Sequence, residues 1–185
     1  DLPGDTVASR YAALSDGETL MRSIEQAVQR ANREIHEAAW ANDSNMGTTV
    51  VLALVVGDHL FVANVGDSRA YLWGRDGLRQ LTRDHSHVFA LKEKGLIEED
   101  ELYTHPRRNE IYRNLGAGQG VDVDCFDATL HSGDLLLLCS DGLWEMLHSD
   151  GVADVLLLNL GDPQVICDEL VDRANRAGGE DNISA

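Results

Sequence analysis

The sequence predicts an α+β fold in which helices pack on antiparallel β-sheet. Three observations support this prediction: one long segment has helical periodicity, a series of short β-branched runs separated by glycine-containing turns follows it, and two helical segments close the chain. Strands that follow one another through short turns favour antiparallel pairing, because parallel strands need a long crossover between them.

The N-terminal part of the chain predicts two helices. Residues 5–14 place Val7, Tyr11 and Leu14 on one face, which predicts a short helix. From residue 18 to residue 41, apolar side chains recur at helical spacing, with arginine, glutamate and glutamine between them. This second segment is therefore predicted to be an amphipathic helix that covers a hydrophobic surface.

Four extended runs come next, at residues 48–56, 59–65, 69–73 and 78–82. The dipeptide Gly57-Asp58 separates the first two runs, which is typical of a hairpin with a two-residue turn. Residues 66–68 break the extended pattern, and residues 74–77 form another turn signal. We expect the four runs to form one meander.

Residues 86–116 differ from the strands on either side. They are charged and weakly helical, with a break at His105-Pro106, and they predict an excursion out of the sheet. Extended runs return at residues 121–130 and 134–139, and helices are predicted at residues 149–158 and 163–177. No internal repeat or linker divides the chain, so residues 1–185 are predicted to form a single domain.

Composition excludes several classes of protein. The 185 residues include 32 acidic and 15 basic side chains, and the net charge of −17 disfavours nucleic acid or an anionic membrane as a partner. No apolar run approaches the roughly 20 residues of a membrane span, and no signal peptide is visible. The cysteines, which form no CxxC pair, indicate a reducing compartment: Cys125, Cys139 and Cys167. We expect a cytoplasmic monomer.

Three carboxylates stand apart from the rest. Asp67 and Asp141 each end an apolar run, Asp181 precedes a run that begins as extended chain, and all three have a glycine within two residues. A carboxylate at the end of a buried strand is costly unless its charge is neutralised. Oxygen ligands from several strand ends suit Mg²⁺ or Mn²⁺. Aspartate also forms ordinary turns, and the pattern alone leaves both interpretations open.

Other chemistries fit the sequence less well. Cys139 ends a predicted strand as a nucleophilic cysteine could, but residues 140–147 contain no arginine to bind a phosphate. The seven histidines form no zinc-binding motif. A basic cluster on this acidic chain could either hold a phosphopeptide or pair with residues 98–101: Arg107, Arg108 and Arg113.

Five segments, in order, resemble the metal-dependent serine/threonine phosphatases of the protein phosphatase 2C (PPM) family. They are residues 46–49 (MGTT), 65–69 (VGDSR), 81–86 (LTRDHS), 138–144 (LCSDGLW) and 179–183 (GEDNI). Residues 104–116 are also similar to the family's bacterial branch, in which they close a flap subdomain. The resemblance implies a four-layer αββα sandwich of two antiparallel sheets flanked by helices, with residues 86–116 as the flap subdomain.

The resemblance also implies an activity and a set of ligands. The expected reaction is hydrolysis of phosphoserine and phosphothreonine in proteins by a metal-activated water, as in signalling phosphatases. Asp141 and Asp181 would bind the first metal, and Asp67 would bind a third, weaker metal together with Asp141. Mn²⁺ or Mg²⁺, as two or three ions, is the implied cofactor, and the partner is a phosphorylated protein.

One part of the family pattern has no match. The family carries an N-terminal strand with a phosphate-binding arginine and an Asp-Gly-x-Gly-Gly motif, neither of which occurs in this sequence. We therefore interpret residues 1–185 as a phosphatase 2C-like domain that is incomplete at both ends. Two alternatives remain: a catalytically inactive phosphatase-like binding module, and a domain that binds divalent cations only for stability.

Overall fold

A computed structural model describes residues 17–158 and 161–185 of the protein. The elements, in chain order, are α1 (Gly17–Ala41), β1 (Val50–Val56), β2 (His59–Val65), β3 (Arg69–Gly74), β4 (Gly77–Gln80), α2 (His87–Glu93), a 3₁₀-helix (Glu99–Tyr103), β5 (Asp124–Thr129), β6 (Leu135–Cys139), α3 (Asp141–Leu158) and α4 (Pro163–Ala177). The short helix predicted at residues 5–14 lies outside the described residues.

The strands form two antiparallel sheets of three strands each, with the orders β1-β2-β5 and β4-β3-β6. The predicted single meander is therefore wrong, because β2 and β3 lie in different sheets. Between them, residues 66–68 form a crossover segment that leaves one sheet and enters the other. Gly66 has a φ of +112°, and a Cβ there would overlap the side chain of Thr49, so the crossover requires glycine.

The two sheets pack face to face around an apolar core. Leu60 and Val62 of β2 face Ala70 of β3, and all three side chains are buried. Neighbouring strands add partly buried side chains to this layer: Val51, Ala53, Phe126, Ala128, Leu136 and Leu138. Because side chains alternate along a strand, the other face of each sheet remains to be covered by helices.

Helices cover both outer faces. Ile24 and Val28 of α1 pack on Phe61, Ala63 and Val65 of β2, which alternate with the residues of the inner core. Side chains of α3 and α4 pack with Tyr71, Leu137 and Cys139 on the outer face of the second sheet. The result is the four-layer αββα sandwich that the sequence resemblance implied, and this prediction is confirmed.

Two isolated β-bridges hold the ends of residues 86–116, the flap segment. Ser86 pairs with Ile111, and Leu115 pairs with Thr48, which lies just before β1. Between these points the chain forms α2 and the 3₁₀-helix, in agreement with the predicted helical excursion. That the segment acts as a flap subdomain stays a prediction.

The two C-terminal helices differ in how well the sequence predicts them. The prediction for α4 is confirmed, because the helix spans Pro163–Ala177 as predicted. Asp162 caps its N-terminus and Pro163 occupies the first turn, which explains why the helix starts there. α3 consists of two helical segments that meet at His148, where φ is 55° and ψ is 175°. The second segment matches the helix predicted at residues 149–158, whereas the first, which begins at Asp141, is not predicted by the sequence. Within the described ranges, no helix combines the length and apolar character needed to cross a membrane.

Candidate metal centre

Asp67 lies in the crossover segment and is only 7% exposed. Burial is the main cause that raises its pKa to about 7, and the nearby carboxylates of Asp141 and Asp84 raise it further. In the described part of the chain no cationic side chain pairs with this carboxylate, and its hydrogen bond with its own backbone opposes the shift without cancelling it. The crossover therefore places a carboxylate where its negative charge is uncompensated.

Asp141 is the first residue of α3, directly after β6. One of its carboxylate oxygens accepts a hydrogen bond of 2.8 Å from the backbone N–H of Gly142. Burial raises the pKa of Asp141, the bond from Gly142 opposes the rise, and the charge of Asp181 adds to it. Asp141 thus interacts electrostatically with two other carboxylates, those of Asp67 and Asp181.

Asp181 lies on the exposed loop after α4, and its position depends on Gly142. A Cβ on Gly142 would lie 2.5 Å from the backbone oxygen of Asn182, so only glycine lets this loop pass so close to the start of α3. Ser140 fastens the same loop, because its backbone N–H donates to the Ser184 oxygen at 3.2 Å. The dipeptide Asp141-Gly142 therefore contains one predicted ligand, Asp141, and allows the loop that carries a second, Asp181, to pass close to it.

The structure brings the three predicted residues to one end of the sandwich as two neighbouring pairs that share Asp141. Across residues 17–158 and 161–185, no three carboxylate, histidine or cysteine groups are grouped closely enough to hold a metal ion by themselves. A hard cation such as Mg²⁺ usually takes only one or two protein carboxylates and completes its shell with water and substrate phosphate. The acidic pairs fit that role, since they supply oxygen donors with uncompensated charge.

Glu145 is a further acidic residue at this end that the sequence analysis missed. Burial raises the pKa of Glu145, and the charge of Asp141 raises it further. The two residues are four apart in α3, so they lie on the same face of the helix. This spacing is visible in the sequence, but it carries meaning only once the helix is known to begin at Asp141.

The three arginines of the basic cluster are all paired, but the predicted partners at residues 98–101 are wrong. Arg108 contacts Glu180 at 3.0 Å and Glu145 at 3.6 Å. Arg107 pairs with Glu110 inside the flap segment, and Arg113 pairs with Asp124 of β5. Arg108 therefore links the flap segment to the acidic end of the sandwich.

A buried ion pair between Arg69 and Asp84 lies near Asp67. The guanidinium of Arg69 makes hydrogen bonds of 2.6–3.1 Å to both carboxylate oxygens of Asp84, and it lies 3.5 Å above the ring of Trp144. Burial acts to lower the pKa of Arg69, but the Asp84 carboxylate outweighs it and the pKa is raised. Asp84 is thus neutralised by Arg69 in a buried ion pair.

Cys139 has no catalytic environment. Its thiol is buried in the core between the second sheet and the C-terminal helices, and burial raises its pKa to about 12. A thiol nucleophile needs a lowered pKa and access to substrate. The structure therefore agrees with the sequence-based argument against a cysteine phosphatase.

Comparisons with known proteins give a consistent result. The family model described as "Protein phosphatase 2C" matches residues 4–115 and 124–183. The "Serine/threonine phosphatase stp" of Listeria innocua is 37% identical over 174 residues, which cover 93% of this chain and 69% of that protein.

Solved structures agree with the sequence comparisons. A structure described as a bacterial serine phosphatase has a TM-score of 0.84 and 33% identity, and the match covers 95% of this chain and 72% of that one. The catalytic domain of the phosphatase PstP, solved in complex with two manganese ions, has a TM-score of 0.79 and 28% identity over 95% of this chain and 73% of its own.

Proposed function

We propose, on the premise that this chain belongs to the protein phosphatase 2C family, that the acidic end of its sandwich binds the divalent cations of a metal-dependent phosphatase. The chain is a serine/threonine protein phosphatase, and it hydrolyses phosphoserine and phosphothreonine in proteins. The relatives are named as phosphatases, and no observation favours an inactive binding module.

The observation that supports the metal proposal most directly is the environment of Asp67. Its buried carboxylate is close to that of Asp141 and has no cationic side chain beside it among the described residues. Two carboxylates in this arrangement repel each other unless a cation or a proton lies between them. A divalent cation held by Asp67 and Asp141 would remove this repulsion.

Each carboxylate has a distinct part in the proposed site. Asp141 would contact both the cation shared with Asp181 and the cation shared with Asp67, because it neighbours each of them. When bound, Mn²⁺ or Mg²⁺ supplies an acidified water as nucleophile and neutralises charge that develops on the phosphoryl group. The backbone N–H of Gly142 restrains the Asp141 carboxylate, and Gly142 lets the Asp181 loop approach it.

The remaining features of the proposal depend on the sequence. We propose two or three Mn²⁺ or Mg²⁺ ions, a monomeric enzyme acting in the cytoplasm, and residues 86–116 as a flap subdomain beside the site. The net charge of −17 supports the absence of nucleic acid and anionic membranes as partners, and the cysteine pattern supports a reducing compartment. A cation held by these carboxylates would neutralise part of this acidic surface.

The first experiment measures phosphate release from a phosphothreonine peptide by the full-length protein, with Mn²⁺ and with excess chelator. We expect Mn²⁺-dependent release, and we expect Asp141→Asn to reduce it by about 100-fold or more, because a cation-binding carboxylate is lost. Asp150→Asn is the matched control, since Asp150 is an exposed carboxylate on the same helix and should leave the rate unchanged. An Asp141→Asn rate within about tenfold of wild type would refute the assignment.

A further inference from the structure

Two buried ring nitrogens hold the backbone on either side of the peptide bond between Gly66 and Asp67. The indole Nε1–H of Trp144 donates to the carbonyl oxygen of Asp67 at 2.9 Å. The backbone N–H of Gly66 donates to Nδ1 of the His85 ring at 3.0 Å. Trp144 is 3% exposed and His85 is fully buried, so water does not compete for either bond.

The orientation of the His85 ring is fixed by its second nitrogen. Because Nδ1 accepts from Gly66, the neutral ring carries its proton on Nε2, which donates to a carboxylate oxygen of Asp124 at 3.1 Å. The guanidinium of Arg113 lies 2.9 Å from the same Nε2; since it can only donate, Asp124 and not Arg113 is the partner of the protonated Nε2. The other oxygen of Asp124 accepts from Arg113 at the end of the flap segment. Burial lowers the pKa of His85, the hydrogen bond with Asp124 opposes this shift, and the charge of Arg113 adds to it. The lowered pKa favours the neutral ring, in which Nδ1 can accept from Gly66.

Contacts with two further side chains fix the orientation of the Trp144 ring. The guanidinium of Arg69 covers one face of its ring, and Tyr103 of the flap segment meets it edge to face at a centroid distance of 6.4 Å. Trp144 therefore connects the backbone of Asp67 with a side chain of the flap segment.

These contacts act on a carboxylate that is under electrostatic stress. The charge of Asp141 repels Asp67, and a residue in a turn could relieve the repulsion by rotating toward solvent. Fixing the backbone on both sides of Asp67 restrains the movement of the backbone that would carry the carboxylate away, without touching the carboxylate oxygens. Hydrogen bonds that orient a metal ligand in this indirect way typically change metal affinity or activity by 10–100-fold when they are removed.

We propose that Trp144 and His85 are positioning residues that hold the Gly66–Asp67 backbone in place, so that the Asp67 carboxylate is preset to share a cation with Asp141. The inference rests on the proposed function, because it assigns these residues to the same metal centre. It differs from a purely structural role, because it predicts a loss of Mn²⁺ affinity that is larger than the loss of stability explains.

The test measures Mn²⁺ binding to the full-length protein by calorimetry, together with kcat, KM and the melting temperature. We expect Trp144→Phe, which keeps an aromatic ring but removes the donor, to weaken Mn²⁺ binding about tenfold or more. His85→Leu should do the same, and His85→Asn should restore binding to within about threefold, because its side-chain oxygen can accept from Gly66. In both positions kcat should fall more than KM rises.

Asn32→Leu is the matched control. Asn32 is fully buried on α1, and its side chain bonds the backbone N–H of Gly116 and the carbonyl of Gly118, in a loop that carries none of the proposed ligands. This variant should lower the melting temperature while Mn²⁺ affinity stays within about twofold of wild type. Equal Mn²⁺ affinities in Trp144→Phe, His85→Leu and Asn32→Leu would overturn the inference, as would a His85→Asn protein no better than His85→Leu.

The outcomes separate the two proposals. If wild-type protein neither binds Mn²⁺ nor releases phosphate, the proposed metal centre fails, and the positioning role fails with it. If wild type binds Mn²⁺ and is active, but Trp144→Phe and His85→Leu bind Mn²⁺ as tightly as the control Asn32→Leu, the proposed metal centre stands and the positioning role is wrong. If Trp144→Phe does not fold, the comparison between His85→Leu and His85→Asn still decides the question.

Discussion

At the scale of single residues, the carboxylate of Asp67 connects protonation with stability. Its pKa is about 7 in the folded protein, whereas an unfolded aspartate titrates near 4. The folded state therefore holds this proton more tightly, so the stabilisation from the proton is complete below about pH 4 and is lost as the pH rises through about 7. In a metal-free protein the ionised carboxylate opposes folding at higher pH.

Replacing Asp67 with asparagine should remove this penalty. As the pH rises from 4 to 8, we expect the free energy of unfolding of Asp67→Asn to increase relative to that of wild type by up to about 4 kcal/mol. Urea unfolding in excess chelator across this pH range measures the difference. Asp127→Asn, at an exposed position of β5, should show no such dependence; a flat or opposite trend for Asp67→Asn would contradict the prediction.

The sequence predicts some residues of the site much better than others. Asp67, Asp141 and Asp181 are predicted as ligands because each follows or precedes extended chain with a glycine within two residues, a pattern that depends only on neighbours in sequence. Trp144 and His85 gave no such signal, since the bonds that they make to residues 66 and 67 join parts of the chain 19 or 77 residues apart. Long-range contacts of this kind are set by the packed fold.

At the scale of elements, α3 contains an unusual break. His148 has a positive φ of 55° with an extended ψ of 175°, a combination that essentially only glycine adopts without strain. Its ring stacks on Tyr103 of the flap segment, with a centroid distance of 3.6 Å and an angle of 18° between the planes. The stacking joins α3 to the 3₁₀-helix.

Within a helix an alanine variant is usually more stable than a glycine variant, and the strain at His148 should reverse this order of stability. Both His148→Ala and His148→Gly lose the stacked ring, but only glycine relieves the backbone, so we expect His148→Gly to be the more stable by about 1 kcal/mol. At the exposed position Asp154 of the same helix, alanine should be the more stable by a similar amount. Urea unfolding of the four variants measures both differences, and the same order at both positions would show that His148 is unstrained.

The elements differ in how far local sequence determines them. The hairpin of β1 and β2 and the helix α4 were predicted closely, because a two-residue glycine turn and a capped, proline-initiated helix are local signals. The start of α3 was missed, since Asp141-Gly142 resembles a turn. The pairing of β3 with β6 could not be deduced from the strands themselves, because β3 pairs equally well with any strand that presents a compatible face.

At the scale of the whole molecule, the two-sheet arrangement brings distant carboxylates together. The crossover at residues 66–68 and the end of β6 lie at the same end of the sandwich, and the loop after α4 passes over the start of α3. Local patterns predict each strand end separately, but only the pairing of β3 with β6 places Asp67 beside Asp141. The acidic cluster is thus a property of the topology.

This cluster should make the stability of the whole protein depend on divalent cations. A cation that binds only the folded state at 100 times its Kd adds about 2.7 kcal/mol, which corresponds to a rise of about 5–10 °C in Tm for a protein of this size. We expect Mn²⁺ to raise the Tm in calorimetry and chelator to reverse the effect. The rise should be strongly reduced in Asp141→Asn, because both carboxylate pairs lose their shared member.

Charge screening is the effect that must be separated from binding. With a net charge of −17, any salt reduces repulsion within the folded protein and can raise the Tm. NaCl at matched ionic strength is therefore the control, and it should act equally on wild type and Asp141→Asn. A Tm that rises equally with NaCl and Mn²⁺ would argue against a specific site, whereas a Mn²⁺-specific rise without phosphate release would indicate a domain that binds cations for stability alone.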